Sequence, residues 1–358
     1  PGENAMEAAV IPGITVWGVN CLNDLLAALN HPELETEKVY QPRIRAEDLL
    51  REGTGQDTGD FREVAGQENA KRGAEIAAAG FHNLLMIGPP GVGKSMVAGR
   101  IPGILPPLTL KESLEVTGIF SVAGLLPPGQ ALITRRPFYA PHHTVTQAAL
   151  IGGGSGIPRP GMVSLAHRGV LFLDELPEFR KNVLDGMRQP MEERKVQIAR
   201  SAGMVTYPSD FILVAAMNPC PCGYYPDRNK CRCTQPQIEK YLGKISGPIL
   251  DRIDLCVELH PVDILHLQKT KTEKSSEDMK RQIRHARERQ AERFAGTDCR
   301  FNGDIRSAQV EEYCPLGEEG QKVMEQLYRT LQLSARVYHR ILKTARTLSL
   351  IHISEPTR

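Results

Sequence analysis

The stretch Gly88-Pro89-Pro90-Gly91-Val92-Gly93-Lys94-Ser95 narrows what this chain can fold into more than any other. It has the pattern G-x-x-x-x-G-K-[ST], with the apolar run Leu84-Leu85-Met86-Ile87 directly before it and a helix-compatible segment after it. A strand that runs through a glycine-rich loop into a helix aims several backbone N–H groups and a helix N-terminus at one polyphosphate. The expected binding residues are Gly88, Pro89, Pro90, Gly91, Val92, Gly93, Lys94, Ser95 and Met96. Lys94 would reach the β- and γ-phosphates of ATP, and Ser95 would hold Mg²⁺. The bland reading is a glycine-rich strand-to-helix turn with no ligand, and strand, loop and Lys-Ser together argue against it.

Two further apolar runs, Gly169 to Leu173 and Phe211 to Ala216, resemble Leu84 to Ile87 in being apolar at every position. Such runs suit strands covered on both faces, so the fold expected is α/β with a parallel sheet. At 358 residues, 41% hydrophobic and 24% charged, the chain has the size and composition of a multi-domain globular protein. A polar, Gly-rich linker from Arg51 to Asp60 separates residues 1–50 from a core at 51–262. Within 1–50, Val10 to Gly18 reads as a short strand and Leu22 to Leu29 as a helix. Residues 263–347 are helical in pattern and highly charged, a separate α-helical domain. No run approaches the roughly eighteen apolar residues of a membrane span. Pro1-Gly2-Glu3-Asn4 carries neither a basic leader nor an initiator Met, so a cytoplasmic fragment is expected. A net charge of +2 leaves any nucleic-acid surface to local clustering.

The second apolar run ends in Asp174-Glu175 and the third in Asn218. A parallel strand delivers its C-terminal residues to the same sheet edge as the phosphate loop. Asp174 would support Mg²⁺, Glu175 would polarise the attacking water, and Asn218 would sense the γ-phosphate or orient water. The alternative for Asn218 is a cap on the turn before Pro219. Four of the eight cysteines crowd into Cys220-Pro221-Cys222 and Cys231-Arg232-Cys233. Four soft ligands in a polar, turn-rich loop suit tetrahedral Zn²⁺, although C-x-C departs from the commoner C-x-x-C spacing and leaves free thiols or a redox pair open. His142 and His143 are adjacent and point in different directions, which favours packing or positioning over metal binding. The run Lys269 to Arg293 mixes both charges and reads as a solvated helix face, with contact to DNA the minority reading.

Taken together, the phosphate loop, Asp174-Glu175, Asn218 and Gly247-Pro248-Ile249-Leu250-Asp251-Arg252-Ile253-Asp254 resemble the magnesium-chelatase-like group of AAA+ ATPases. Arg136 to Thr144 and Met217 to Gly223 resemble, within it, the ComM/YifB family, and the likeness covers nearly the whole chain. The resemblance implies an AAA+ P-loop core with a C-terminal helical lid, a homo-oligomer (a hexamer), ATP between subunits and residues acting in trans. Arg252 matches the family's arginine finger. Arg336 matches the second sensor in the lid, although Arg340 lies one helical turn away on the same face. Insertions at Ser121 to Pro137 and Ile151 to Gly161, and a hairpin at Lys195 to Thr206, are candidates for a central pore. Arg159, Lys195 and Arg200 would touch phosphate backbone of DNA without reading sequence; hairpins packing between subunits are the alternative.

The resemblance also implies that residues 1 to about 40 end a Lon-protease-like domain, most of it missing, so that no Ser-Lys dyad is assignable. Residues 348–358 fall outside the likeness and read as a non-native tail. The activity implied is ATP hydrolysis driving a DNA helicase or branch-migration factor in natural transformation. A chelatase-type motor serving a metal-inserting partner, and a nucleotide-gated scaffold with little turnover, are the rivals.

Overall fold

The computed structural model describes residues 2–30, 45–52, 59–154, 158–200, 203–262 and 274–352. Much of the linker expected at 51–60, the tip of the 195–206 hairpin, the start of the 269–293 run and residues 353–358 therefore lie outside the described residues. The chain divides into two compact units. One is Pro1–Gln56 with Pro107–Arg136, and the other is Asp57–Pro106 with Pro137–Arg358.

In the larger unit the strands are β1 (Leu84–Ile87), β2 (Phe138–Tyr139), β3 (Gly152–Gly153), β4 (Arg159–Pro160), β5 (Val170–Leu173), β6 (Lys195–Arg200), β7 (Gly203–Pro208), β8 (Ile212–Met217) and β9 (Leu255–Glu258). Five of them form one sheet in the order β2-β5-β8-β1-β9, parallel throughout. The three apolar runs become its inner strands because both sheet faces are covered. Leu84, Met86, Val170, Phe172, Ile212, Val214 and Ala216 point into one core cluster, and Leu85, Leu171, Leu173, Leu213, Ala215 and Met217 into the other. The period of two along each strand thus divides apolar residues between two cores, which is why the runs show no polar alternation. The expected α/β core with a parallel sheet and a helical domain is the fold observed.

The first core also receives the Ala-rich helix Glu68–Gly80, the helix Lys94–Ile104 and two helices of the C-terminal domain, through Met279, Ile283, Ala286, Leu350 and Ile351. The charged helix Ser276–Arg293 buries Met279, Ile283, Ala286 and Gln290, one stripe at helical spacing. Its Arg287 guanidinium lies 3.7 Å over the Phe301 ring and donates to Ala78 O at 3.2 Å, so this cation serves packing. The final helix runs Ala335–His352, continuing past residue 347 with Ile351 fully buried. Asp210, nearly buried, ties core to lid: Arg168 approaches at 2.6 Å and Arg194 at 3.5 Å, and Arg300 of the helical domain pairs with it too. Removing one member of a buried ionic group strands the others, so this junction is firm.

The smaller unit packs Val10, Ala131 and Leu132 with Met6, Leu49, Leu50, Leu110 and Leu114. Its longest helix among the described residues, Leu110–Ala123, opens with a capping box between Thr109 and Glu112. Segment 107–136 thus clusters with the N-terminal residues, whereas the sequence-based division placed it in the core. Leu22–Asn30 is helical, as its spacing predicts. Val10 to Gly18 is not a strand: the helix Ala5–Ala9 precedes a turn at Pro12-Gly13, with Gly13 at φ +84. The β-branched residues suit a strand, but the turn breaks the run at its start.

Candidate functional site

The phosphate loop leaves β1 at Ile87, and Gly88 N donates to Met217 O at 3.2 Å, which fixes the loop's start against the end of β8. Gly91 at φ +78 and Gly93 at φ +95 take the left-handed backbone that curls the loop onto the first turn of Lys94–Ile104. Lys94 Nζ lies inside this curl and donates to Gly88 O at 2.6 Å, Pro89 O at 2.9 Å and Asn218 Oδ1 at 3.0 Å. Burial pulls the Lys94 ammonium below its ordinary pKa, while the charges of Asp174 and Glu175 pull it back up.

From the end of β5, Asp174 Oδ2 accepts from Ser95 Oγ at 2.9 Å, and Asp174 Oδ1 accepts from Glu175 N at 2.9 Å. Glu175 has φ 52, a left-handed conformation in a residue with a side chain, which costs about 1–3 kcal/mol and is tolerated where the surroundings impose it. Its side chain remains 58% exposed. Gly91, Lys94, Ser95, Asp174, Glu175 and Asn218 all line one cavity of about 370 Å³. That volume falls within the range of small-molecule sites. Three strand ends spread over 130 residues of sequence therefore meet, because β5, β8 and β1 are neighbours and all point the same way.

Arg252 and Arg336 line a different cavity, of about 270 Å³, between the core and the helical domain. Both reach Glu192: Arg252 Nη2 pairs with Oε2, and Arg336 Nη2 lies 3.7 Å from Oε1. Arg252 Nη1 also donates to Pro248 O at 2.7 Å. Arg340 is committed elsewhere, donating to Leu250 O at 3.0 Å and to Ile253 O, and burial lowers its pKa. Arg336 stays half exposed. The structure thus brings Lys94, Ser95, Asp174, Glu175 and Asn218 together, and brings Arg252 and Arg336 together, in two separate places.

Residues not anticipated as site members also appear. His143 Nδ1 lies 3.2 Å from Glu175 Oε2, with the His142 ring 4.0 Å from its own. Gln67 Nε2 donates to Val92 O at 3.2 Å and to His260 O at 2.7 Å, bracing the phosphate loop from below. Glu192 joins Arg252 to Arg336. The hairpin expected at Lys195 to Thr206 is the pair β6-β7, and the insertion at Ile151 to Gly161 holds the short antiparallel pair β3-β4. They touch where Tyr207 OH donates to Pro158 O at 2.6 Å. Arg159 and Lys195 are exposed on them; Arg200 ends β6. Cys220, Cys222, Cys231 and Cys233 gather their sulfurs within 4.8 Å of one another. Among the described residues no helix is long and apolar enough to cross a membrane.

A P-loop strand inside a parallel sheet, acids on the next strand but one and a helical domain against the same core define a protein of the AAA+ class. Residues 60–267 match the family described as magnesium chelatase, subunit ChlI, and residues 273–356 match the C-terminal part of that subunit. The chain belongs to this magnesium-chelatase-like AAA+ family. It is 40% identical to competence protein ComM of Haemophilus influenzae over 356 residues, covering 97% of this chain and 66% of ComM. It is 45% identical to YifB of Salmonella typhimurium over 300 residues, covering 83% of this chain. The magnesium-chelatase 67 kDa subunit of Chlorobaculum parvum is more distant, 25% identical over 62% of the chain. The chain spans 58% of the length of YifB. Members of the AAA+ class commonly oligomerise, and membership implies use of nucleotide and Mg²⁺.

Proposed function

We propose that this chain is the motor portion of a ring-forming ATPase that hydrolyses ATP between neighbouring subunits and moves along DNA. The observation that carries the reading is the convergence of Lys94, Ser95, Asp174, Glu175 and Asn218 on one cavity, with Arg252 and Arg336 in another. Lys94 exchanges its loop carbonyls for the β- and γ-phosphate oxygens, which are stronger, charged acceptors. Ser95 and Asp174, already 2.9 Å apart, are the hydroxyl and carboxylate that fit Mg²⁺. The ion would neutralise charge on the β- and γ-phosphates. Glu175 takes a proton from the attacking water, and Asn218 orients that water or the γ-phosphate. Arg252 supplies its guanidinium to the site of the adjacent subunit, and Arg336 joins it there, since both share Glu192. The ring is a hexamer in this reading.

His143 orients the Glu175 carboxylate through the 3.2 Å contact. A His143→Ala chain is expected to lose on the order of 10- to 100-fold in kcat with KM for ATP nearly unchanged, as a small misplacement of a reacting group does. Steady-state kinetics check this; a change confined to KM would assign His143 to substrate binding instead.

The DNA part of the proposal draws on the 40% identity to a competence protein and on the exposed cations Arg159 and Lys195. Branch migration during natural transformation is the activity it favours. ATP turnover by the protein is expected to rise several-fold on adding single-stranded or forked DNA, with forks separated. In an Arg159→Glu/Lys195→Glu chain the stimulation is lost while basal turnover stays. Absence of both stimulation and strand separation would remove DNA as the substrate and leave a chelatase-type motor; absence of turnover altogether would leave a nucleotide-gated scaffold.

A further inference from the structure

Between β8 and the helix Gln235–Leu242, the chain makes only turns. Its buried cluster is Cys220 and Cys231 with Ile238 of that helix, edged by Cys222, Tyr225 and Cys233. So small an apolar cluster does not hold a loop of this length in one shape. The sulfurs are spaced for something else. Cys220 Sγ lies 3.4 Å from Cys222 Sγ and 3.8 Å from Cys231 Sγ, and Cys222 Sγ lies 3.6 Å from Cys231 Sγ. A disulfide needs about 2.0 Å. Four thiolates at about 2.3 Å from a tetrahedral Zn²⁺ stand about 3.8 Å apart. Tyr225 N points at Cys220 Sγ at 3.4 Å, the kind of backbone donor that steadies a ligating thiolate.

We propose that Cys220, Cys222, Cys231 and Cys233 bind one Zn²⁺, and that the metal sets the shape of the nucleotide cavity. The four thiols give up their protons to solvent as the Zn–S bonds form. Two connections carry the effect to the cavity. Cys220 lies two residues after Asn218, and Asn218 Oδ1 accepts from Lys94 Nζ at 3.0 Å. Gly223, at φ +87, lies against the phosphate loop, where a Cβ would come within 2.6 Å of Pro90 Cδ. The metal site stands on the sulfurs alone; the coupling rests on the nucleotide reading given above.

The full 358-residue chain, purified under reducing conditions without chelator, is expected to hold about one zinc per chain. Co²⁺ in its place should give the thiolate-to-metal absorption of a tetrahedral site. A Cys222→Ser/Cys233→Ser chain should hold neither metal, whereas Cys256→Ser, on the exposed edge strand, should hold both. Stripping the zinc should weaken binding of a fluorescent ATP analogue roughly tenfold, an ordinary site-to-site coupling, and readdition should restore it. Gly223→Ala should keep the zinc and still weaken the analogue, because it presses on Pro90. No zinc and no cobalt spectrum would overturn the site. Analogue affinity unchanged on stripping and in Gly223→Ala would overturn the coupling. A zinc-loaded chain that binds no analogue would overturn the nucleotide reading and the coupling with it, and would leave the metal site established.

Discussion

A Glu175→Gln chain is expected to bind ATP as tightly as the parent and to hydrolyse it about 10²- to 10⁴-fold more slowly. Glutamine keeps the volume of the side chain and its hydrogen-bonding reach but accepts no proton. Binding is spared because Lys94 donates to Gly88 O, Pro89 O and Asn218 Oδ1 and makes no hydrogen bond to Glu175. The left-handed φ of 52 at Glu175 survives the change, since it is a property of the backbone held by the bond from Glu175 N to Asp174 Oδ1. Asp174→Asn should behave differently. It weakens the Ser95 contact and removes a charge where Mg²⁺ fits, so Mg²⁺-dependent binding itself falls. Titration of a fluorescent ATP analogue beside a steady-state phosphate-release assay separates the two. A Glu175→Gln rate within a few-fold of the parent would remove Glu175 from the chemistry.

The convergence of the phosphate loop with Asp174, Glu175 and Asn218 was legible in sequence because each follows an apolar strand, and strand ends of a parallel sheet converge by topology. Buried strands announce themselves as unbroken apolar runs, so Leu84 to Ile87, Val170 to Leu173 and Ile212 to Met217 were placed to within a residue. The four cysteines were visible through their crowding, though only the sulfur distances separate a metal geometry from a disulfide one. His143 was not assignable to Glu175, because their contact depends on β2 pairing with β5, a two-residue strand with almost no pattern of its own. The choice between Arg336 and Arg340 was closed to helical spacing, which puts both on one face. In the structure the two differ by their partners: the carbonyls of Leu250 and Ile253 accept from Arg340, and Arg336 lies beside Glu192. The company of segment 107–136, namely Val10, Leu49 and Leu50, was not legible, because these contacts are distant in sequence and no local pattern reports them.

Arg252→Ala and Lys94→Ala chains are each expected to be inactive alone and to regain activity when mixed. Arg252→Ala should cost about 10³- to 10⁵-fold in turnover, the contribution of an arginine acting on the γ-phosphate. Its ATP affinity should change little, because Arg252 lines the cavity with Glu192 and none of the residues around Lys94. Lys94→Ala removes the cation that reaches the phosphates and should abolish binding in its own cavity, yet it leaves Arg252 and Arg336 on Glu192 untouched. In a head-to-tail ring, each interface joins one subunit's phosphate loop to its neighbour's Arg252. An equal, random mixture then makes about a quarter of the interfaces from an intact Lys94 and an intact Arg252, and turnover should recover toward that fraction. Arg252→Lys does not substitute for the arginine in this assay, since a point charge lacks the planar fork. A mixture as inactive as its components would place Arg252 at its own subunit's site or outside catalysis, and with it the Arg336 that shares Glu192. Recovery would instead mean that the two cavities, separate within one chain, are halves of one site completed only by assembly.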